Sequence, residues 1–288
     1  MIDTESAHLL KPAMFQPALP PRDPYSHKGS FGSVALIGGD VGMVGSVLLA
    51  ARAALLAGAG RVYAAMLSDN VPVVDLVQPE LMLRSVHAIS QLTQLNVIVL
   101  GPGLGQSASA IQLLEYWLAQ DLSLLLDADA LNLIAQHPYL AALTKQRCAA
   151  TIITPHPGEA ARLLGCKTEQ VQQDRIGSAL NLAKNLHASC VLKGVNSICA
   201  HHNGVWFMNG SGNPGLASAG TGDVLSGIIA GLIAQGLNAF SAVQLGVYVH
   251  GAAADALVAQ GLGPVGLTAS EVAKQARNII NQLNVTTI

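Results

Sequence analysis

Six short apolar runs, each ending at a turn, constrain this chain more than any other feature. They are Val34-Ala35-Leu36-Ile37, residues 62–66, residues 97–100, Leu124-Leu125-Leu126, Thr151-Ile152-Ile153 and Cys190-Val191-Leu192. Their brevity and lack of alternation predict strands buried on both faces. Helical patterns lie between and after them: residues 46–57 stopped by Gly58, residues 107–119, residues 168–187, then 222–235, 240–259 and 269–284, with Gly236 and Gly261 as stops. Ser197-Ile198-Cys199-Ala200 and Val205-Trp206-Phe207-Met208 flank Asn203-Gly204, the signal of a tight hairpin. The pattern predicts an α/β fold with a largely parallel sheet covered by helices on both faces and an added β-hairpin. In the helix over 222–235, Leu225, Ile228, Ile229 and Leu232 share a face, and Gly227 and Gly231 lie one turn apart, so another element packs closely there. Pro12, Pro17, Pro20, Pro21 and Pro24 break all periodicity before the first strand. Residues 1–27 therefore read as a proline-rich arm and residues 28–288 as one domain.

Charged residues make up only 11% of the 288 residues, against about 25% in an average domain. So little charge implies a large buried area and predicts contacts between copies of the chain, a homo-oligomer. A net charge of -2 with no basic cluster argues against nucleic acid and anionic membranes as partners. Cys148, Cys166, Cys190 and Cys199 form no C-x-x-C and have no histidine at zinc spacing, so free thiols in a reducing cytoplasm are expected. Met1-Ile2-Asp3-Thr4-Glu5 is acidic and lacks the apolar core of a signal peptide. The apolar window over 43–60 contains Arg52 and several glycines, which suits a buried helix better than a membrane span.

The segment from Asn213 to Asp223 carries the chemistry. Its small residues expose backbone N–H groups and run straight into a helix, whose start adds unpaired N–H groups and a positive dipole end. Ala219, Gly220, Thr221 and Gly222 thus form a candidate anion hole suited to phosphate. Asp223 would repel that phosphate unless it takes a proton from a hydroxyl attacking it; the plainer reading is a helix-capping aspartate. Other candidates follow strands, where ligands bind in parallel sheets. In Thr154-Pro155-His156-Pro157-Gly158-Glu159, two prolines fix the backbone around His156 and aim its ring for substrate hydrogen bonding or charge neutralisation, while Glu159 suits the helix dipole alone. In Lys193-Gly194-Val195-Asn196-Ser197, the lysine can reach phosphate and Asn196 and Ser197 can bond ribose or phosphate oxygens; the alternative is a hairpin-edge turn. Asp127 could hold water on Mg²⁺ or cap a turn, and Asp129 suits the N-cap of the next helix. Gly101-Pro102-Gly103-Leu104-Gly105-Gln106 lacks the third glycine of a dinucleotide fingerprint, so it is either a backbone wall beside a ligand or a set of positive-φ turns. Gly39, Gly42 and Gly45 permit close approach to a ligand or to a neighbouring helix. The remaining histidines lack partner patterns and read as solvated.

In this order, Lys28 to Val34, Gly38 to Gly45, Gly58-Ala59-Gly60, Gly101 to Gly105, Asp127 to Asn132, Pro155 to Glu159, Lys193 to Ser197 and Asn213 to Asp223 resemble the ADP/ATP-dependent NAD(P)H-hydrate dehydratases of the ribokinase-like superfamily. The resemblance implies a ribokinase-like fold, a stand-alone form without the epimerase domain of many bacterial relatives, and a substrate that is hydrated NADH or NADPH. It implies ADP or ATP with Mg²⁺ as the phosphoryl source. It places Lys193, Gly194, Val195, Asn196, Ser197 and Gly222 on the nucleotide, and Ser46, Gly105, His156 and Asp223 on the hydrate. Ser46 stands where the family often has alanine. Relatives are often tetramers. Two other readings fit the same residues: a vitamin-precursor kinase of the superfamily, which would leave a stable phosphoester, and a non-catalytic nucleotide sensor, which would not need Asp223.

Overall fold

The computed structural model describes residues 8–284. The acidic start at Met1 to Glu5 lies outside the described residues. Nine strands form one sheet: β1 (Ser33–Gly38), β2 (Arg61–Met66), β3 (Met82–Leu83), β4 (Val97–Leu100), β5 (Ser123–Leu126), β6 (Thr151–Ile153), β7 (Ser189–Leu192), β8 (Ile198–His201) and β9 (Trp206–Met208). The spatial order is β3-β2-β1-β4-β5-β6-β7-β8-β9. Pairing is parallel from β3 through β7 and antiparallel for β7-β8 and β8-β9. The sheet and its hairpin are as the sequence predicts, with Gly204 at φ 95° in the turn. The edge strand β3 is an addition, since two residues carry no periodicity.

The helices are α1 (Val44–Leu56), α2 (Val86–Ser90), α3 (Ala108–Leu118), α4 (Asp129–Gln136), α5 (Pro138–Lys145), α6 (Pro157–Leu164), α7 (Thr168–Gln173), α8 (Arg175–Leu186), α9 (Thr221–Ala234), α10 (Ala239–Ala259) and α11 (Ala269–Asn284). They cover both faces of the sheet. Along β1, Val34 and Leu36 enter one core and Ala35 and Ile37 the other, all fully buried. That explains the unbroken apolar runs. The single helix predicted over 168–187 is two. Asp174 leaves helical geometry at φ -134° and its side chain accepts from the Gly177 N–H at 2.8 Å, starting α8. Of the proline-rich arm, Leu10, Phe15 and Leu19 are buried against the core.

Among the described residues α10 alone is long and apolar enough to cross a membrane, and 61% of its apolar window is buried inside the protein. The apolar window over 43–60 folds as α1, which packs against α9. Gly227 and Gly231 make that approach possible. A β-carbon at 227 would overlap the Ala50 carbonyl oxygen, and one at 231 would sit 2.7 Å from the Ala54 oxygen. In an open helix Gly→Ala would gain about 1 kcal/mol. Here Gly227→Ala is expected to reverse that sign and cost on the order of 1–3 kcal/mol through overpacking, read as a lower urea midpoint.

Candidate functional site

Parallel pairing sends the carboxyl ends of β1, β4, β5, β6 and β7 to one edge of the sheet. The predicted motifs follow these strands: Gly39 after β1, Gly101 after β4, Asp127 after β5, His156 after β6 and Lys193 after β7. The strand order reverses between β1 and β4, the position at which such sheets open a crevice.

The loops after β1 and β4 close on each other. Gly39 N–H donates to the Pro102 carbonyl at 3.0 Å, and Asp40 N–H to the Gly103 carbonyl at 2.6 Å. A β-carbon at Gly101 would overlap the Asp127 carbonyl, and one at Gly103 would stand 2.6 Å from the Met43 β-carbon. These two glycines therefore serve backbone packing within the protein. Gly105 N–H donates to Asp129 at 2.9 Å, and Asp40 faces Gly105 on its other side. By contrast Gly42 and Gly45 face open space. Asp129 is not an N-cap as expected. Ala128 occupies that position with φ 48°, and Asp129 is the first helical residue.

Asp127 is buried. One carboxylate oxygen accepts from Lys193 Nζ at 2.8 Å and from its neighbour's Ala128 N–H at 2.9 Å; the other accepts from Ser226 Oγ at 2.7 Å. Lys193 reaches the start of α9, 3.4 Å from where a Gly222 β-carbon would be. It also stands 4.0 Å from Glu159. Burial alone would depress the Lys193 pKa; Asp127 and Glu159 outweigh burial and hold it above its ordinary value.

Glu159 does more than answer the helix dipole, which corrects the sequence reading. It is buried, and its carboxylate accepts from the His156 backbone N–H at 2.7 Å. Burial raises its pKa, opposed by Lys193. His156 caps α6: its Nδ1 accepts from the N–H groups of Gly158 at 3.0 Å and Glu159 at 3.3 Å. An accepting Nδ1 puts the ring proton on Nε2, which lies 3.3 Å from Glu159. Burial, then Lys193, lowers the His156 pKa, so the ring is neutral and offers a hydrogen bond rather than a charge. His156→Asn is expected to keep the cap and its stability, whereas His156→Ala loses about 1 kcal/mol. A lower melting temperature in the alanine variant, with the asparagine variant unchanged, would show that the ring's part in stability is the cap.

The segment before α9 is tied at several points. Thr221 Oγ1 donates to the carbonyls of Leu216 at 2.8 Å and Ser218 at 2.9 Å. Asp255 accepts from the Gly212 N–H and the Asn213 side chain. Gly220 takes φ 84° at the N-cap, and no side chain caps the helix. Among the described residues no acceptor meets the backbone N–H groups of Ala219, Gly220, Thr221, Gly222 or Asp223. These free donors fit an anion. Asp223 sits among them, and the Ser46 side chain favours its charged form. Burial and the Asp127 charge push its pKa up to about 7, against the opposing pull of Ser46 and Lys193. A carboxylate poised near neutrality can take a proton.

Asp223, Ser46, Gly222, Lys193, Asp127, Glu159 and His156 are thus brought together. Val195 and Asn196 stand apart, in an exposed turn that lines an open groove of about 500 Å³ with Gln172 and Arg175. Ser197 Oγ donates to the Gly194 carbonyl at 2.9 Å and closes the same turn. His250 is buried rather than solvated. Its Nε2 has no partner, and burial lowers its pKa to about 4 against the opposing effect of the Thr221 backbone. Ser226 and His250 escaped the sequence reading. Ser226 lies three residues beyond Asp223, and that spacing was its one available signal.

A parallel α/β sheet with unpaired backbone N–H groups at a helix start beyond its carboxyl edge is the layout of an α/β protein that binds an anionic ligand there. A family model for NAD(P)H-hydrate dehydratases matches residues 34–278, and the chain belongs to that family. An ADP-dependent (S)-NAD(P)H-hydrate dehydratase from Neisseria meningitidis is 41% identical over 261 residues, covering 90% of this chain and 88% of that protein. A bifunctional NAD(P)H-hydrate repair enzyme from Coxiella burnetii is 44% identical over 269 residues, covering 92% of this chain and 54% of that protein. The chain thus spans about half the length of the bifunctional relatives it matches. The crystal structure of an ADP/ATP-dependent NAD(P)H-hydrate dehydratase from Bacillus subtilis, co-crystallised with ATP/Mg²⁺, superposes with a TM-score of 0.86 at 31% identity. It covers 96% of this chain and 98% of that one. The resemblance read from the motifs and the ribokinase-like fold both hold. A hydroxyethylthiazole kinase from Pyrococcus horikoshii shares the fold alone, at 13% identity and a TM-score of 0.58.

Proposed function

We propose that this chain dehydrates hydrated NADH or NADPH at the expense of ADP or ATP, restoring the reduced nicotinamide nucleotide. The reading rests above all on Asp223, a carboxylate poised near neutrality among unpaired N–H groups. The nucleotide's terminal phosphate fits those N–H groups and Lys193. Ser46 and His156 face the hydrate, and the turn from Gly194 to Ser197 holds the rest of the nucleotide. Gly105 borders the hydrate side through its backbone. Among the described residues no group of three or more metal-ligating side chains converges. Asp127, the sequence candidate for Mg²⁺, already engages Lys193, Ser226 and Ala128. Mg²⁺ fits as an ion carried by the phosphates and water, as is usual for it.

In the first step Asp223 accepts the hydroxyl proton as that oxygen bonds the terminal phosphorus and the nucleotide leaves one phosphate shorter. The N–H groups of Ala219 to Gly222 and Lys193 stabilise the charge on the transferred group. The ring nitrogen lone pair then expels phosphate, a far better leaving group than hydroxide, and loss of a neighbouring proton restores the ring double bond. Hydrated NADH incubated with Mg²⁺ and either nucleotide should regain the absorbance of reduced nicotinamide and release phosphate. No recovery with either nucleotide would refute the reading; a stable phosphoester would point to a kinase, and nucleotide binding without turnover to a sensor. The chain works in the cytoplasm, without nucleic acid or membrane, and associates with copies of itself.

A further inference from the structure

Arg162 is an exposed residue of α6, on the same face as Gly158 one turn earlier. Its side chain folds back toward the start of the helix, as long helical side chains do. One terminal nitrogen, Nη1, stands 3.9 Å from where a Gly158 β-carbon would be. On the other side, Arg162 Nε donates to Asn132 Oδ1 at 2.9 Å. The Asn132 amide donates to Asp129 at 3.4 Å, and Asp129 accepts from the Gly105 N–H at 2.9 Å. A chain of hydrogen bonds therefore fixes the guanidinium between Gly105 and the helix that His156 caps. Its charge is close enough to His156 to help lower the pKa of that ring.

The Arg162 backbone lies in the last turn of α6, where a cation suits the dipole, but its charge reaches the first turn, where the dipole opposes it. Among the described residues Arg162 forms no ion pair, and its terminal N–H groups have no acceptor. The nearby carboxylates are engaged elsewhere: Asp129 by Gly105 and Asn132, and Glu159 by the His156 N–H. An oriented guanidinium with free terminal donors is suited to a two-pronged contact with phosphate. We infer that Arg162 binds a phosphate group of the dinucleotide hydrate, beside Gly105 and His156. The inference rests on the reading that the hydrate occupies this side of the cleft. Hydrated NADH carries a diphosphate, and hydrated NADPH adds a phosphate on the ribose. Lys193 and the N–H groups at the start of α9 serve the phosphate of the other nucleotide, so the charge of the hydrate needs a cation of its own.

Arg162→Gln should raise the KM for the hydrate by at least about 10-fold, the loss of one charge-assisted contact, with kcat and the KM for ADP unchanged. Arg162→Lys should recover part of that loss as a point charge. Asn132→Ala, which frees the guanidinium, should raise the same KM by a smaller factor. Because Arg162 is exposed, Arg162→Gln should keep the wild-type melting temperature. NADH and NADPH carry the same phosphates as their hydrates, so their binding to Arg162→Gln, measured by calorimetry, should weaken in step. An equal loss for the two forms assigns the contact to the diphosphate; a loss confined to the NADPH form assigns it to the ribose phosphate. A wild-type chain that restores neither hydrate would refute the dehydratase reading itself. A wild-type chain that restores them, with an unchanged hydrate KM in Arg162→Gln or a rise in the KM for ADP alone, would overturn the phosphate contact and leave that reading standing.

Discussion

Asp223→Asn is expected to abolish most turnover, on the order of 10²–10⁴-fold for loss of a general base, while ADP binding and fold persist. The amide keeps the shape of the side chain but cannot take the hydroxyl proton. The wild-type pH profile carries the same signature. With its pKa near 7, Asp223 is protonated at pH 6 and ionised at pH 8, so kcat/KM should fall as pH drops through about 7. Stability should run the other way. A carboxyl group with a folded pKa raised from 3.8 to about 7 favours the folded state fully below about pH 4, and this contribution is lost as pH rises through 7. Asp223→Asn has no such titration. Its melting temperature should match wild type at pH 4 and exceed it progressively up to pH 8. Near-normal turnover, or a stability difference that does not grow with pH, would defeat the assignment of Asp223 as the base.

The contrast between legible and hidden residues follows from where their partners sit. Strands β1, β4, β5 and β7 were legible because burial on both faces leaves an unbroken apolar run in the sequence. The edge strand β3 was not, because two residues are too few to carry a pattern. The anion hole could be read from Asn213 to Asp223 because its donors are backbone groups of one continuous segment. Glu159 could not, because what distinguishes it from a dipole-facing carboxylate is Lys193, which arrives from the end of β7. His250 was hidden for the same reason: nothing in the apolar pattern of α10 announces that its ring meets Thr221. Gly101 and Gly103 illustrate the limit from the other side. A glycine needed for a ligand and one needed for Asp127 or Met43 are identical as letters, and only the positions of those neighbours decide.

Lys193→Met separates the two roles of the lysine. Loss of the ammonium should weaken ADP binding by at least about 100-fold, the loss of one strong charge-assisted contact. It should also destabilise the protein by about 3–5 kcal/mol, because Asp127 stays buried without its cation. Ser226 and the Ala128 N–H still donate to that carboxylate, which places the expected cost at the lower end. The double variant Asp127→Asn/Lys193→Met removes both charges and nearly conserves volume. Its stability should recover by about 2–3 kcal/mol relative to Lys193→Met, a coupling of the size measured between contacting charges, while ADP binding stays lost. Asp127→Asn alone adds a kinetic readout. The Asp127 charge raises the Asp223 pKa, so its removal should move the acid limb of kcat/KM below pH 7, whereas Lys193→Met should move it above. Additive stability losses in the double variant, measured by urea denaturation, would mean that the pair contributes nothing as a pair. Acid limbs that stay in place in both single variants would mean that neither charge reaches the base.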